Sequence, residues 1–252
     1  MTDGQSAGGN RALYQITGKD AEHFLQGLIS NDIARATGGL CYAAILTPQG
    51  KYLADFFLTA TPEGYLLDVD AALAPMLVQR LTMYKLRADV SIAPAPLQVS
   101  RGTGPAPAGA LPDPRDPALG WRFYGADALP DDGTDWTDLY VQHMIPQSGV
   151  ELTPDSYILE MGFERLGGVD FRKGCYVGQE VTARMKHKTE LRKGLAKVRI
   201  DGSAPVGTPI IAGGKEAGTL FTQSGSAALT YLRFDRAGGD MAAESARITY
   251  AK

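Results

Sequence analysis

The sequence predicts an α+β body followed by a small antiparallel β-barrel at the C-terminal end. In the body, segments with apolar residues at helical spacing alternate with segments that read as strands and tight turns. After Gly194 the texture changes to short strands separated by glycine, proline, serine and aspartate, which is typical of a small barrel. The predicted strands of the barrel are 195–200, 208–212, 217–223, 228–234 and 246–250.

The body is predicted to begin after a polar, glycine-rich segment. Residues 1–10 are expected to be disordered, the body to span 11–194 and the barrel 195–252. Asp20 is a candidate N-cap for a first helix. The further elements are strands at 12–16 and 64–69, a hairpin of 41–47 and 52–59, a helix over 70–86 with Pro75 in its first turns, short strands at 89–93 and 97–100, an inter-subdomain loop at 100–120, and a helix at 136–144.

The composition excludes several classes of protein. The chain has 252 residues, 44% hydrophobic and 21% charged, with a net charge of −3, so a generally basic nucleic-acid binder is not expected. Two cysteines, Cys41 and Cys175, make no disulfide framework and favour a reducing compartment. The start shows no signal peptide and no apolar stretch is long enough for a membrane span, which predicts a cytoplasmic location without membrane contact.

The histidines do not suggest a metal centre. His23, His143 and His187 are scattered, and the two cysteines are distant from each other in the sequence. No stably bound metal is therefore expected. Cys41 begins a predicted strand and is expected to be a packing residue.

The segment of greatest chemical interest is GGVDFRKGCYVGQEVTARMKHK, at 167–188. Cys175 follows two cations, Arg172 and Lys173, and precedes GQEVTARM, which reads as the start of a helix. Nearby cations and a helix N-terminus favour a thiolate over a thiol. Local chemistry therefore predicts an accessible, activated thiol, while the alternative is a small core residue, and these features alone leave both open.

The motif K-G-C-Y-x-G-Q-E with a following arginine resembles the defining motif of the YgfZ family. The matching residues are Lys173, Gly174, Cys175, Tyr176, Gly178, Gln179, Glu180 and Arg184. Similarity also extends to the predicted first helix at 18–33, the hairpin at 46–58 and the loop DPRDPALGWR at 113–122. The family is similar in fold to the glycine-cleavage T-protein, an aminomethyltransferase. The resemblance implies two intertwined α+β subdomains around a folate-type pocket, with a C-terminal β-barrel.

The same resemblance implies a function and a ligand. Members of the family are associated with assembly or repair of iron–sulfur proteins, including radical-SAM tRNA-modifying enzymes, and tetrahydrofolate is the implied ligand. Cys175 is the functionally important residue by this resemblance. The alternative is a folate-dependent aminomethyltransferase or methyltransferase. This chain departs from the T-protein, because Ala54–Asp55 supplies one carboxylate where the T-protein has two, which argues against aminomethyl transfer.

Two carboxylates and one basic segment are further candidates. Asp55 interrupts an apolar strand and either binds a folate ring nitrogen or faces water by strand alternation. Glu160 either binds the pterin ring or is a solvated helix residue. The basic segment, residues 171–194, has a net charge of +5 and either attracts a polyglutamated folate tail, tRNA or an acidic partner, or is a solvated face. Its charged residues are Arg172, Lys173, Arg184, Lys186, Lys188, Arg192 and Lys193, against Glu180 and Glu190.

Overall fold

A computed structural model describes residues 9–187 and 191–251 of the chain. The chain divides into two compact units, Met1–Thr134 with Glu164–Gln179, and Asp135–Phe163 with Glu180–Lys252. This division differs from the predicted single boundary at residue 194, because 135–163 groups with the barrel. Most of the predicted disordered segment, residues 1–8, lies outside the described residues, as do Lys188 and Glu190 of the basic segment.

The first unit contains a five-stranded antiparallel sheet with strand order β2-β3-β4-β1-β5. The predicted hairpin is formed by the second and third strands, which place Tyr42 opposite Phe57 and Ala44 opposite Asp55. The strands are β1 (Arg11–Thr17), β2 (Cys41–Leu46), β3 (Tyr52–Thr61), β4 (Gly64–Asp70) and β5 (Ser91–Pro94).

Strand alternation gives this sheet two different faces. One face packs into an apolar core with two helices, α1 (Ala21–Gln26) and α2 (Ala74–Lys85). Asp55 and Phe57 alternate with the core residues of β3 and therefore lie on the opposite face. The core side of the sheet and helices includes Cys41, Ala43, Ile45, Ala54, Phe56, Leu58, Phe24, Leu25, Leu77 and Leu81.

The two helices follow the predicted signals with one exception. Pro75 lies in the first turn of α2, where its missing N–H is not needed for helix hydrogen bonding. Asp20 precedes α1 as predicted, but its side chain makes no cap bond to the helix. The Asp20 carboxylate instead accepts a hydrogen bond from the backbone N–H of Asp89 at 2.8 Å.

A second, three-stranded sheet in the first unit corrects part of the predicted 100–120 loop. Its strands are β6 (Gln98–Gly102), β7 (Leu111–Pro112) and β8 (Trp121–Gly125), in the order β6-β8-β7. The segment also contains a short 3₁₀ helix, Pro117–Leu119, so only part of it is irregular. Strand β6 overlaps the strand predicted at 97–100, whereas β7 has only two residues, too few to show a period, and is ordered by its pairing with β8.

Buried charges join this small sheet to the polar face of the large one. Arg122 donates to Asp68 at 3.0 Å and to Asp113 at 3.2 Å, and Arg11 donates to Asp68 at 2.6 Å. Arg115 completes the group by donating to Asp113 at 2.8 Å. Burial alone would raise the pKa of both aspartates, but the neighbouring arginine charges outweigh it and lower the pKa of each.

The second unit contains the predicted barrel, with one strand more than the sequence suggested. Its strands are closed in the order β10-β11-β12-β9-β14-β13. The extra strand β13 is only three residues long, and its pairing with both β10 and β14 closes the barrel. The strands are β9 (Lys193–Asp201), β10 (Pro209–Ala212), β11 (Lys215–Ser224), β12 (Ala227–Arg233), β13 (Met241–Ala243) and β14 (Ala246–Thr249).

The segment 135–163 is tied to the barrel by a helix and a buried carboxylate. Helix α3 (Trp136–Gln142) matches the predicted helix and packs against β11 and β12. Glu151 is buried and accepts hydrogen bonds from the backbone N–H of Gln147 and from both the backbone N–H and the hydroxyl of Thr222 in β11. These contacts explain why this segment belongs to the barrel unit.

Candidate functional site

The loop that carries Cys175 is fastened at its start to the chain that follows α1. The Ser30 hydroxyl donates to the carbonyl of Gly168 at 2.7 Å, and the backbone N–H of Asp170 donates to the carbonyl of Ser30 at 3.0 Å. The Asn31 amide donates to the carbonyl of Gly167 at 2.6 Å. Both Ser30 and Asn31 are fully buried, so these bonds are protected from water.

Lys173 continues this attachment into the interior. Its side chain is buried, and its ammonium donates to the carbonyls of Gln26 and Ile29 at 2.6 Å each. The Asp170 carboxylate accepts hydrogen bonds from the backbone N–H groups of Arg172 and Lys173, which fixes the turn between them. Burial lowers the pKa of Lys173 to about 8, against the raising effect of nearby acidic groups.

The far end of the loop is held against the β2–β3 turn. Gly178 has a φ of +85°, and a Cβ atom there would lie 2.6 Å from the carbonyl oxygen of Thr47. Only glycine fits both the backbone conformation and the close approach. Tyr176 is buried, and its ring lies beneath the Lys173 ammonium, whose nitrogen is 4.9 Å from the ring centroid.

Between these attachments, Gly174 and Cys175 are exposed. The structure therefore excludes the alternative that Cys175 is a core residue. A Cβ atom at Gly174 would meet nothing within 4 Å, so the fold itself does not require glycine at this position. The predicted helix follows as α4 (Gln179–His187), and the activation of the thiol stays a prediction.

Cys41 contrasts with Cys175. It has no exposed surface, belongs to the core and donates its thiol to the carbonyl of Asp32 at 3.4 Å. Burial raises the pKa of its thiol to about 12, although Arg35 and Lys173 act in the opposite direction. The expectation that Cys41 is a packing residue is confirmed.

The remaining motif residues lie on α4. Gln179 is its first residue, and its backbone N–H donates to the carbonyl of Tyr176 at 3.2 Å. Glu180 and Arg184 are exposed and pair with each other one turn apart, in the order that supports a helix. Because the pair is solvent-exposed, it contributes little to stability.

Asp55 is buried on the polar face of the large sheet. Its carboxylate accepts hydrogen bonds from the hydroxyls of Tyr52 at 2.6 Å and Tyr42 at 3.0 Å. The Arg115 guanidinium lies over the rings of Tyr42 and Phe57, at 5.5 and 4.9 Å from their centroids. Asp55 lies on the face of the sheet opposite the apolar core, and that face is covered rather than open to water. The alternative that Asp55 faces water is therefore excluded.

Glu160 is also buried, in a turn of the second unit, which excludes a solvated helix position. Its carboxylate accepts a hydrogen bond from the Tyr231 hydroxyl of β12 at 2.6 Å, and the Lys193 ammonium lies 3.9 Å away. Burial raises the pKa of Tyr231, and the carboxylate it faces adds to this shift. The structure places Asp55 in the first unit and Glu160 in the second.

The basic segment does not form a uniform charged face. Lys173 is buried, Arg184 is paired with Glu180, and Lys193 lies near Glu160. Among the described residues of this segment, exposed side chains also include Arg172, Lys186 and Arg192.

Sequence reasoning missed the residues that hold the site in place. Ser30, Asn31 and Asp170 carried no chemical signal, because their role depends on contacts more than a hundred residues apart along the chain. The loop at 113–122 was recognised only as a family resemblance. Its alternating aspartates and arginines were a signal for a buried ion-pair network.

The described residues also show a surface depression, and their possible metal ligands and helices can be assessed. A depression in the first unit is lined by six residues outside the predicted site, namely Asp20, His23, Phe24, Gly27, Leu28 and Ala88. Within residues 9–187 and 191–251, no three or more histidine, cysteine, aspartate or glutamate side chains are grouped so that they could hold a metal ion. In the same ranges every helix is too short or too polar to cross a membrane.

Comparison with known proteins agrees with this architecture. Residues 192–252 match the family model described as the CAF17 C-terminal β-barrel domain. The crystal structure of glycine cleavage system aminomethyltransferase T from Bartonella henselae superposes with a TM-score of 0.69 at 14% identity, covering 95% of this chain and 82% of that one. The predicted T-protein-like α+β fold with a C-terminal barrel is confirmed.

Two curated relatives identify the family. The mitochondrial iron–sulfur cluster assembly factor IBA57 of Mus musculus is 30% identical over 278 residues, covering 92% of this chain and 78% of that protein. Its counterpart from Homo sapiens is 30% identical over 289 residues, covering 96% and 81%. Because these relatives are named as mitochondrial proteins, the prediction of a cytoplasmic location is wrong. The chain belongs to the family of IBA57, among the YgfZ-related proteins.

Proposed function

We propose that this protein is an iron–sulfur cluster assembly factor in which Cys175 is the working thiol. The relatives that cover most of the chain carry the name of such a factor. The observation that carries the proposal is the exposure of Cys175 on a loop whose flanking residues are buried and hydrogen-bonded. An exposed thiol on a fixed loop is suited to contact a partner, whereas Cys41 is enclosed in the core.

The chemistry offered by Cys175 is that of a single thiolate. Iron–sulfur clusters are held by cysteine thiolates, and an accessible thiolate is the form that binds metal. Cys175 supplies one ligand while a cluster is assembled or repaired, and the other ligands belong to the protein that delivers or receives it. The partners are therefore iron–sulfur proteins and their assembly machinery, including radical-SAM tRNA-modifying enzymes.

A replacement in the source cell tests this role. Cys175→Ser is expected to lower the activity of several [4Fe–4S] enzymes about tenfold or more, since losing a ligand or its support weakens metal handling on that scale. Cys41→Ala is the matched control, because it removes the other thiol from a site that no partner can reach. Enzymes without clusters provide the baseline. Unchanged [4Fe–4S] activity with Cys175→Ser would refute the proposal.

Tetrahydrofolate is the proposed ligand, and Asp55 of the first unit is its proposed contact. The donor chemistry fits, because pterin N–H groups suit carboxylates and each carboxylate oxygen accepts more than one hydrogen bond. The Tyr52 and Tyr42 hydroxyls hold both oxygens of Asp55 in fixed positions. When bound, the folate would supply one-carbon chemistry, and this chain's residues would orient it.

Direct titration tests the folate proposal. Asp55→Asn keeps the size of the side chain but removes its charge, so the Kd for tetrahydrofolate should rise about tenfold to a hundredfold, the value of a charged hydrogen bond. Asp127→Asn, at an exposed position of the same unit, is the control. If the unchanged protein, Asp55→Asn and Asp127→Asn all bind tetrahydrofolate with the same Kd, Asp55 is not part of the binding site.

The alternative functions predict other outcomes. A folate-dependent aminomethyltransferase would turn over one-carbon units in vitro, and Cys175→Ala would retain this activity if a carboxylate handled the proton. A tRNA contact through the exposed cations Lys186 and Arg192 would weaken steeply with added salt, because phosphate contacts release counterions. Binding that is insensitive to salt would exclude that contact.

A further inference from the structure

The contacts of the Lys173 ammonium do not match its predicted role as a charge that stabilises the thiolate of Cys175. Two of its three N–H donors are committed to the carbonyls of Gln26 and Ile29, each at 2.6 Å. The side chain is buried, whereas Cys175, two residues further on, is exposed. The lysine side chain therefore runs inward from the loop while the cysteine is presented to solvent.

One of the two carbonyls that accept from Lys173 belongs to the last residue of a helix, and the other lies three residues beyond it. Helix α1 has only six residues and ends at Gln26. The last carbonyls of a helix have no intrahelical partner, and a cation at this end also interacts favourably with the helix dipole. Lys173 thus supplies, from 147 residues further along the chain, the donor that Gln26 needs.

The same ammonium organises the loop around Cys175. The Tyr176 ring lies beneath it at 4.9 Å, and the Asp170 carboxylate holds the backbone N–H groups of Arg172 and Lys173. Lys173 before Cys175 and Tyr176 after it are therefore joined through one buried group, the ammonium. Removing the ammonium would release the loop both before and after Cys175.

We infer that Lys173 is a positioning residue, which fixes Cys175 in place by anchoring its loop to the end of α1, and does not act by supplying charge to the thiol. This inference rests on the proposed role of Cys175. Arg172 makes the distinction measurable, because it is the neighbouring cation in the sequence and its side chain is exposed. Of the two cations only Lys173 is bonded to the carbonyls of Gln26 and Ile29, whereas a charge effect would be shared by both.

The test compares Lys173→Met, Lys173→Arg and Arg172→Met in the purified full-length protein. Lys173→Met should increase amide hydrogen exchange in the peptide covering 170–178 about tenfold, and cells carrying it should lose [4Fe–4S] enzyme activity about tenfold. Lys173→Arg, which keeps charge and donors, should restore more than half of that activity. Arg172→Met should leave exchange in the loop unchanged.

Two results would overturn the inference. The first is faster exchange in the loop of Lys173→Met with full enzyme activity in cells. The second is unchanged exchange, with Lys173→Met and Arg172→Met both slowing alkylation of Cys175 and shifting its pH profile upward, which is the signature of charge. If Lys173→Met does not fold, Asp170→Ala takes its place, because it loosens the same loop with the ammonium intact. Asp170→Ala must then show the faster exchange and the loss of enzyme activity expected of Lys173→Met. Failure of Cys175→Ser to lower activity would instead refute the proposed function.

Discussion

Selective alkylation of the two cysteines is the most direct test of how this protein presents its thiols. The native protein is treated with iodoacetamide, and each site is followed by mass spectrometry over a pH series. Cys175 is exposed, and Cys41 has no exposed surface. The two residues therefore act as sample and internal control within one molecule.

The size of the difference follows from the environments of the thiols. Burial raises the pKa of Cys41 to about 12, so at about pH 7.5 roughly three in 10⁵ of these thiols are ionised. An ordinary exposed thiol is about one-tenth ionised at the same pH. Ionisation alone therefore slows the reaction of Cys41 about 3,000-fold relative to such a thiol, and its enclosure in the core slows it further.

The outcome separates accessibility from activation. A rate ratio below about tenfold would refute the assignment of Cys175 as an accessible thiol, because ionisation alone requires a far larger value. An activated thiol would also keep its reactivity well below the pH at which free cysteine ionises. If the rate of Cys175 instead follows the curve of free cysteine, with a midpoint near about pH 8.5, the thiol is accessible but not activated.

Three further predictions concern stability and are measured by urea unfolding. Arg122→Met should cost about 3–5 kcal/mol, because it removes one partner from two buried ion pairs, and a loss below about 1 kcal/mol would contradict this. Burial lowers the pKa of Lys173 to about 8. The unfolded chain therefore binds more protons than the folded one between that pH and about 10.4, so stability should rise with pH in this window and Lys173→Met should flatten the slope. Gly178→Ala should destabilise by more than about 1–2 kcal/mol because of its positive φ and the approach of Thr47, whereas Gly174→Ala should be neutral or slightly stabilising. Equal effects of the two glycine substitutions would contradict the described loop.

Local signals in the sequence were enough to predict most of the fold. The hairpin of β2 and β3, helix α3 and the alternating strands of the barrel each carry a period that can be read without knowing their partners. Strands β7, β8 and β13 were missed; β7 and β13 have two and three residues, too few to show a period, and β8 has five. They form because neighbouring strands provide hydrogen-bond partners, which is information that no local window contains.

The sequence predicted the exposure of Cys175 but not the contacts of its neighbours. Cys175 was identified from its neighbours, and its exposure agrees with that expectation. The water-facing alternative for Asp55 was wrong, because Asp55 is buried and its partner Tyr42 is covered by Arg115, sixty residues later in the chain than Asp55. Lys173 was interpreted as a charge beside the thiol, because its acceptors at Gln26 and Ile29 are distant in sequence.

The motif divides into residues that the fold requires and residues that it does not. Lys173, Tyr176 and Gly178 each fill a buried contact that another side chain would disrupt. Gly174 and Cys175 fill none, since both are exposed and the space around Gly174 is open. Ordering a loop costs about 1–2 kcal/mol per residue in backbone entropy, which the buried contacts on either side offset. A segment that only connected two units would not need its tip to be held in this way. The arrangement is therefore the one that the proposed role of Cys175 requires, a thiol held in one fixed position for a partner.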